Sequence, residues 1–209
     1  MARSDDPGSA GRIDQTGTEI RDDLPPAELQ ARAGAEATGV IESWPSQPRE
    51  AAIKTIQRYG APDAVMPSRL IWTDKTPWRR VVVNRDVVPH DFPKPHNDLL
   101  EEWISYRIPP ERLDDVARFD GSVIAERTKG ELGARCDKEE MNYLALNLAH
   151  DVIVGALDVD AARRAYTEKA GAFMMGKSDP YTEALQFPVP PNGSGDRDVP
   201  TINAQEVRQ

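Results

Sequence analysis

The stretch Met141 to Val154 constrains this chain more than any other. Met141, Leu144, Ala145, Leu148, Ala149 and Val152 recur at helical spacing and form one apolar stripe. Tyr143, Leu146, Ile153 and Val154 form a second group on the opposite side, flanking His150. A helix that is apolar nearly all round is covered on both faces. The fold must therefore place this segment at its centre. Asp137 followed by Glu140 has the spacing of a capping box, and Gly155 closes the helix. Asp158 begins another helix that runs to about Met175 and ends at Gly176.

The layer for that helix to cover is legible upstream. Pro48 to Tyr59 carries an apolar face at Ala52, Ile53, Ile56 and Tyr59 and stops at Gly60. Leu70-Ile71-Trp72 and Trp78 to Val83 are β-rich runs around a turn at residues 73–77, which predicts a hairpin. In the second run Trp78, Arg80 and Val82 share one face, and Arg79, Val81 and Val83 the other. Ser122 to Thr128 and Glu131 to Cys136 predict a second hairpin, and Ile104 to Ile108 alternates like one more strand. Asp98 is expected to cap a short helix, Leu99 to Trp103, and Pro109 and Pro110 to open another reaching Phe119. The expectation is an α+β fold: an antiparallel sheet of two hairpins plus an extra strand, helices packed on one side, and disordered tails.

Residues 1–43 are rich in Asp, Glu, Gly, Ala, Ser and Pro and read as a flexible acidic extension, with a helix start at Pro25-Pro26-Ala27-Glu28. Residues 44–187 read as a single domain, and 188–209 as a flexible Pro/Gly-rich tail. A hydrophobic content of 39% with eighteen prolines fits a folded block diluted by such flanks. The net charge of −9 weighs against nucleic-acid binding, which needs clustered Lys and Arg. A single cysteine forms no intramolecular disulfide, which fits a reducing compartment. The N-terminus lacks an apolar signal region, and no segment has the roughly 18 apolar residues of a membrane span. These features predict a cytoplasmic protein, with oligomeric state left open.

Chemistry concentrates in few residues. His90 and His96 lie six apart in a Pro-punctuated stretch with Asp98 close by, and imidazole with carboxylate suits a divalent metal. The spacing matches neither a zinc finger nor a helical His-Glu-x-x-His. The competing expectation is two histidines bonded to backbone in a loop packed by Phe92. Cys136 precedes a helix start, where the dipole lowers a thiol pKa. His150 is too far along that helix, roughly 20 Å at 1.5 Å per residue, to pair with it. His150 with Asp151 is a further candidate site, its pKa depressed by an apolar setting. Arg79, Arg80, Arg107, Arg127 and Arg135 fall in strand-like runs and are candidates to receive a small anion. There is no dinucleotide fingerprint, P-loop, nucleophile elbow or Cys-x-x-Cys.

Gln57-Arg58-Tyr59-Gly60-Ala61-Pro62-Asp63, Ser68-Arg69-Leu70-Ile71-Trp72 and Pro77-Trp78-Arg79-Arg80 resemble a bacterial family of conserved hypothetical proteins with no assigned activity. Residues 89–96, Asp120-Gly121-Ser122-Val123-Ile124, Ala134-Arg135-Cys136-Asp137 and Leu146-Asn147-Leu148-Ala149-His150-Asp151 extend the resemblance. It spans Trp44 to Phe187 and implies a single, non-secreted bacterial domain without assigning catalytic residues. The helix, turn and Trp-bearing hairpin are also similar to the small α+β lipoproteins of outer-membrane assembly, but the lipobox is missing.

Two functional readings follow. One is a non-catalytic interaction or accessory protein, a subunit whose acidic tails order on a protein partner. The alternative is a small metal-dependent or anion-binding enzyme using the His90/His96 loop and His150. The second reading requires those imidazoles to meet at one point.

Overall fold

The computed structural model describes residues 12–13, 19–20, 25–190 and 195–202. Of the expected N-terminal extension, residues 1–11, 14–18 and 21–24 lie outside the described residues. Its described backbone includes β1 (Arg12–Ile13) and β2 (Glu19–Ile20), a two-residue antiparallel pair. Helix α1 (Pro26–Ile41) starts at the anticipated proline, but it runs on into the core, where Ala37 and Ile41 are buried. The packed part of the chain thus begins before Trp44.

Helix α2 (Ser46–Tyr59) ends at Gly60, whose φ of 80° is a left-handed conformation that glycine adopts without strain. The sheet follows: β3 (Ala64–Met66), β4 (Arg69–Lys75), β5 (Trp78–His90) and β6 (His96–Ser105). A 3₁₀ turn and α3 (Leu113–Phe119) lead to β7 (Val123–Glu126) and β8 (Glu131–Cys136). Strand order is β3-β4-β5-β6-β8-β7, antiparallel throughout. The two expected hairpins are β4–β5 and β7–β8, with β6 between them; of the extra strand expected over Ile104 to Ile108, only Ile104 and Ser105 are extended, as the end of β6, and residues 106–108 leave the sheet.

The rest of β6 differs from the sequence expectation too. Asp98 caps nothing, and Leu99 to Trp103 are extended rather than helical. Pairing decides the matter: Leu100 meets Val83 on one side and Cys136 on the other, so β6 is an interior strand. Ladder bonds along both edges and burial of both faces override a weak local helix signal.

One face of the sheet carries Val81, Val83, Leu100, Glu102, Ile104, Leu132, Ala134 and Cys136, and α2 and α4 (Glu139–Ile153) pack over it. Helix α4 is the central helix, with α3, α5 (Val159–Met174) and α6 (Pro180–Glu183) against its other sides. The anticipated capping box does not form. The N-cap is Lys138, without a side-chain bond, and Asp137 pairs with Lys138 at 3.1 Å instead. Asp158 caps α5 as expected, accepting the Ala161 N–H at 2.7 Å.

On the opposite face Arg80, Trp103 and Gly133 align across three strands. Arg80 lies 4.7 Å over the Trp103 ring and pairs with Glu131 at 3.0 Å. Among the described residues, no helix is long and apolar enough to cross a membrane.

Candidate metal centre

Strands β5 and β6 are joined by residues 91–95, and their outermost ladder pairs are Val88 with Asp98 and His90 with His96. Directly opposed residues share a face, and so do residues two apart on one strand. His90, His96 and Asp98 therefore all project to the helix-covered side. The two ring centroids are 4.9 Å apart. One ligating atom from each of the three residues lies within 4.8 Å of the others. Side-chain exposure is 18% for His90, 11% for His96 and 3% for Asp98, so the carboxylate is buried beneath two part-exposed rings.

Each imidazole has one nitrogen turned to an outer acceptor and the other turned inward. His96 Nδ1 lies 2.9 Å from the Lys94 carbonyl oxygen, which only accepts, so this nitrogen carries the proton. Its Nε2 faces Asp98 Oδ1 at 3.3 Å. His90 Nε2 is 3.5 Å from Asp120 Oδ1, while its Nδ1 faces Asp98 Oδ2 at 3.6 Å and the Ser122 hydroxyl at 3.2 Å. Ser122 in turn donates its hydroxyl to Asp98 Oδ2 and its backbone N–H to Asp120 Oδ1. Apart from that contact with His96, Asp98 Oδ1 is buried without a hydrogen bond among the described residues. The adjacent Asp98 carboxylate raises the His96 pKa. Burial pushes the Asp120 carboxyl up, against the pull of the Ser122 N–H and His90.

The surroundings hold these groups tightly. Phe92 packs 5.1 Å from the buried Tyr166 ring, and the Arg163 guanidinium sits 3.8 Å over Phe92. Arg163 also donates to the Phe119 carbonyl, tying α5 to the end of α3 just before Asp120. A cavity of about 50 Å³ beside His96, Cys136 and Tyr166 is the adjoining space.

The other sequence candidates separate from this cluster. Cys136 is buried next to it, with its Sγ donating to Asp137 Oδ1 at 3.5 Å. Burial raises its pKa well above the ordinary thiol value, so the lowering expected of a helix start is outweighed. His150 lies at the far end of α4, away from His90 and His96. Its Nδ1 is 2.7 Å from the Tyr106 hydroxyl, and the Phe187 ring stacks on it at 4.2 Å. Burial depresses its pKa, as the sequence suggested, although nearby Asp151 opposes the shift. Asp151 itself accepts the Tyr181 hydroxyl at 3.0 Å.

The arginines do not converge. Arg79 pairs with Asp74, Arg80 with Glu131, Arg127 with Asp196 and Asp198, and Arg135 with Glu101. Arg107 is exposed beyond the end of β6. Sequence reasoning missed Asp120 and Ser122. Asp120-Gly121 reads only as a turn, and nothing local tells that this turn meets the tip of a distant hairpin.

No family model, curated protein or solved structure matches this chain.

Proposed function

We propose that this is a metal-binding protein in which His90, His96 and Asp98 hold one divalent transition ion. The observation that carries the reading is the convergence of one ligating atom from each of these three side chains within 4.8 Å, with the outer nitrogen of His96 already hydrogen-bonded. Metal-ligating histidines donate their second ring N–H to a carbonyl or carboxylate, which fixes tautomer and ring direction. Here the Lys94 carbonyl holds the outer nitrogen of His96, and the Asp120 carboxylate stands 3.5 Å from that of His90. The buried Asp98 carboxylate, whose Oδ1 faces His96 Nε2 at 3.3 Å, supplies an anionic ligand, and a two-nitrogen, one-oxygen donor set suits zinc, iron or manganese.

The ion would tie the β5–β6 tip to the α3–β7 turn. Three protein donors leave a fourth position of a tetrahedral ion for water, and the adjoining cavity of about 50 Å³ touches the cluster only at His96. The anion-binding reading gains no support, since four of its five arginines are already met by carboxylates.

A zinc titration against a chromophoric chelator tests the proposal. The wild-type chain is expected to take up one equivalent, and a His90→Ala/His96→Ala variant none. Equal uptake by both would remove it.

The accessory-protein reading draws on a separate observation. Met174 and Met175 at the end of α5, with Val199 and Ile202 near the C-terminus, are exposed apolar side chains that a protein partner can cover. It is compatible with a metal-held domain. Mutating both methionines to serine should weaken association with any copurifying subunit; undiminished association would exclude this surface.

A further inference from the structure

A second cluster of titratable groups lies between α2, the start of α4 and the inner sheet face. It surrounds a cavity of about 740 Å³ whose walls include Lys54, Arg58, Glu102, Lys138, Glu139 and Phe173. Glu102 is its most unusual feature, a glutamate only 1% exposed in the middle of a central strand. Its cross-strand neighbours are Val81 and Ala134, so nothing in the sheet compensates it. Asn142 donates to Oε2 at 2.9 Å, and the same amide donates to the Leu100 carbonyl, fixing its orientation. Oε1 has no hydrogen-bond partner among the described residues. A carboxyl group in such a place is expensive unless something answers it.

The nearby acid is already answered. Glu139 receives the Tyr59 hydroxyl, the Trp78 indole N–H at 2.7 Å and the Arg58 guanidinium at 2.8 Å. Lys138 is paired with Asp137. Among the charged walls this leaves Glu50 and Glu140 against Lys54 alone, with the buried Glu102 carboxyl beside them. The surplus is acceptors of positive charge.

We infer that this cavity binds a small organic amine, with Glu102 receiving the ammonium group and Phe173 and Leu100 covering its alkyl part. An ammonium offers three donors and a full charge, which matches a buried carboxyl with a free oxygen. Burial and the Glu139 charge keep the Glu102 carboxyl protonated well above the usual range. An arriving cation reverses that balance, so binding expels the proton into solvent.

Calorimetry with propylammonium tests this, using propan-1-ol and propanoate as isosteric controls and two buffers of different ionisation enthalpy. The full-length wild-type chain should bind propylammonium alone and release about one proton in mildly acidic buffer. Glu102→Gln should weaken binding about tenfold or more and abolish the release. Ala51→Phe, which narrows the cavity from its α2 wall and leaves Glu102 in place, should block binding too, so the inference does not depend on one variant folding. No binding of propylammonium, equal binding of the alcohol, or unchanged binding in both variants would overturn it.

Discussion

His90 and His96 face each other as ladder partners across β5 and β6, with ring centroids 4.9 Å apart and Asp98 between their inner nitrogens. This pairing is set by strand register, and it turns two loop-like sequence positions into one site. The outer nitrogen of His90 lies 3.5 Å from Asp120, a residue contributed by a different part of the chain. Asp120→Asn should therefore weaken zinc binding by about 10- to 100-fold while leaving the stoichiometry at one. Competition against a chelator of known affinity measures it. A change below about twofold would show that Asp120 does not orient the ring.

Zinc should also stabilise the fold. An ion bound only by the native chain adds RT ln(1 + [L]/Kd), about 2.7 kcal/mol at a hundredfold excess over Kd. The melting temperature of the wild-type chain is expected to rise with zinc concentration and that of His96→Ala to stay level. Parallel rises would indicate binding elsewhere.

The His150 ring gives the stability a pH dependence of its own. Burial lowers its folded pKa below the unfolded value of about 6.5, so the unfolded chain binds more protons as the solution is acidified. Stability from this group is present above the unfolded pKa and falls as pH drops through it. Replacing His150 by Gln should flatten the slope of melting temperature between about pH 7 and pH 5. An unchanged slope would place the effect on other groups.

Glu102 has the opposite sign to a salt-bridged acid. Its folded pKa is raised by burial first and by Glu139 second, so its favourable contribution exists below the unfolded pKa and is lost as pH rises through the folded one. Glu102→Gln should therefore unfold at a higher temperature than wild type at about pH 8 and lose that advantage near about pH 4. A variant less stable at alkaline pH would mean the carboxylate is compensated in the native state.

Gly133 stands opposite Trp103, and a Cβ built on it would come within 2.5 Å of the indole ring. The indole is held by Arg80 on its face, so it has little room to give. Gly133→Ala should cost about 1–3 kcal/mol of unfolding free energy, measured by urea titration. A neutral result would show that the Trp103 side chain repacks.

The elements with strong periodicity were readable in advance. The all-round apolar pattern of α4 put that helix at the centre, and the hairpins β4–β5 and β7–β8 followed from β-branched runs and turn residues. Strand β6 was not readable, because its identity comes from two neighbours remote in sequence rather than from Leu99 to Trp103 themselves. The same holds for the site. His90, His96 and Asp98 stood out by residue type, whereas Asp120 and Ser122 enter it only through tertiary placement. Glu102 gave no signal either, since an interior strand glutamate looks like a solvated one until its burial is known.

Zinc K-edge X-ray absorption of the one-to-one complex tests the central claim most directly. The account predicts two imidazoles showing multiple scattering, with every coordinating atom a nitrogen or oxygen at about 2.0–2.2 Å. A spectrum without imidazole scattering, or with a sulfur near about 2.3 Å from Cys136, would contradict it.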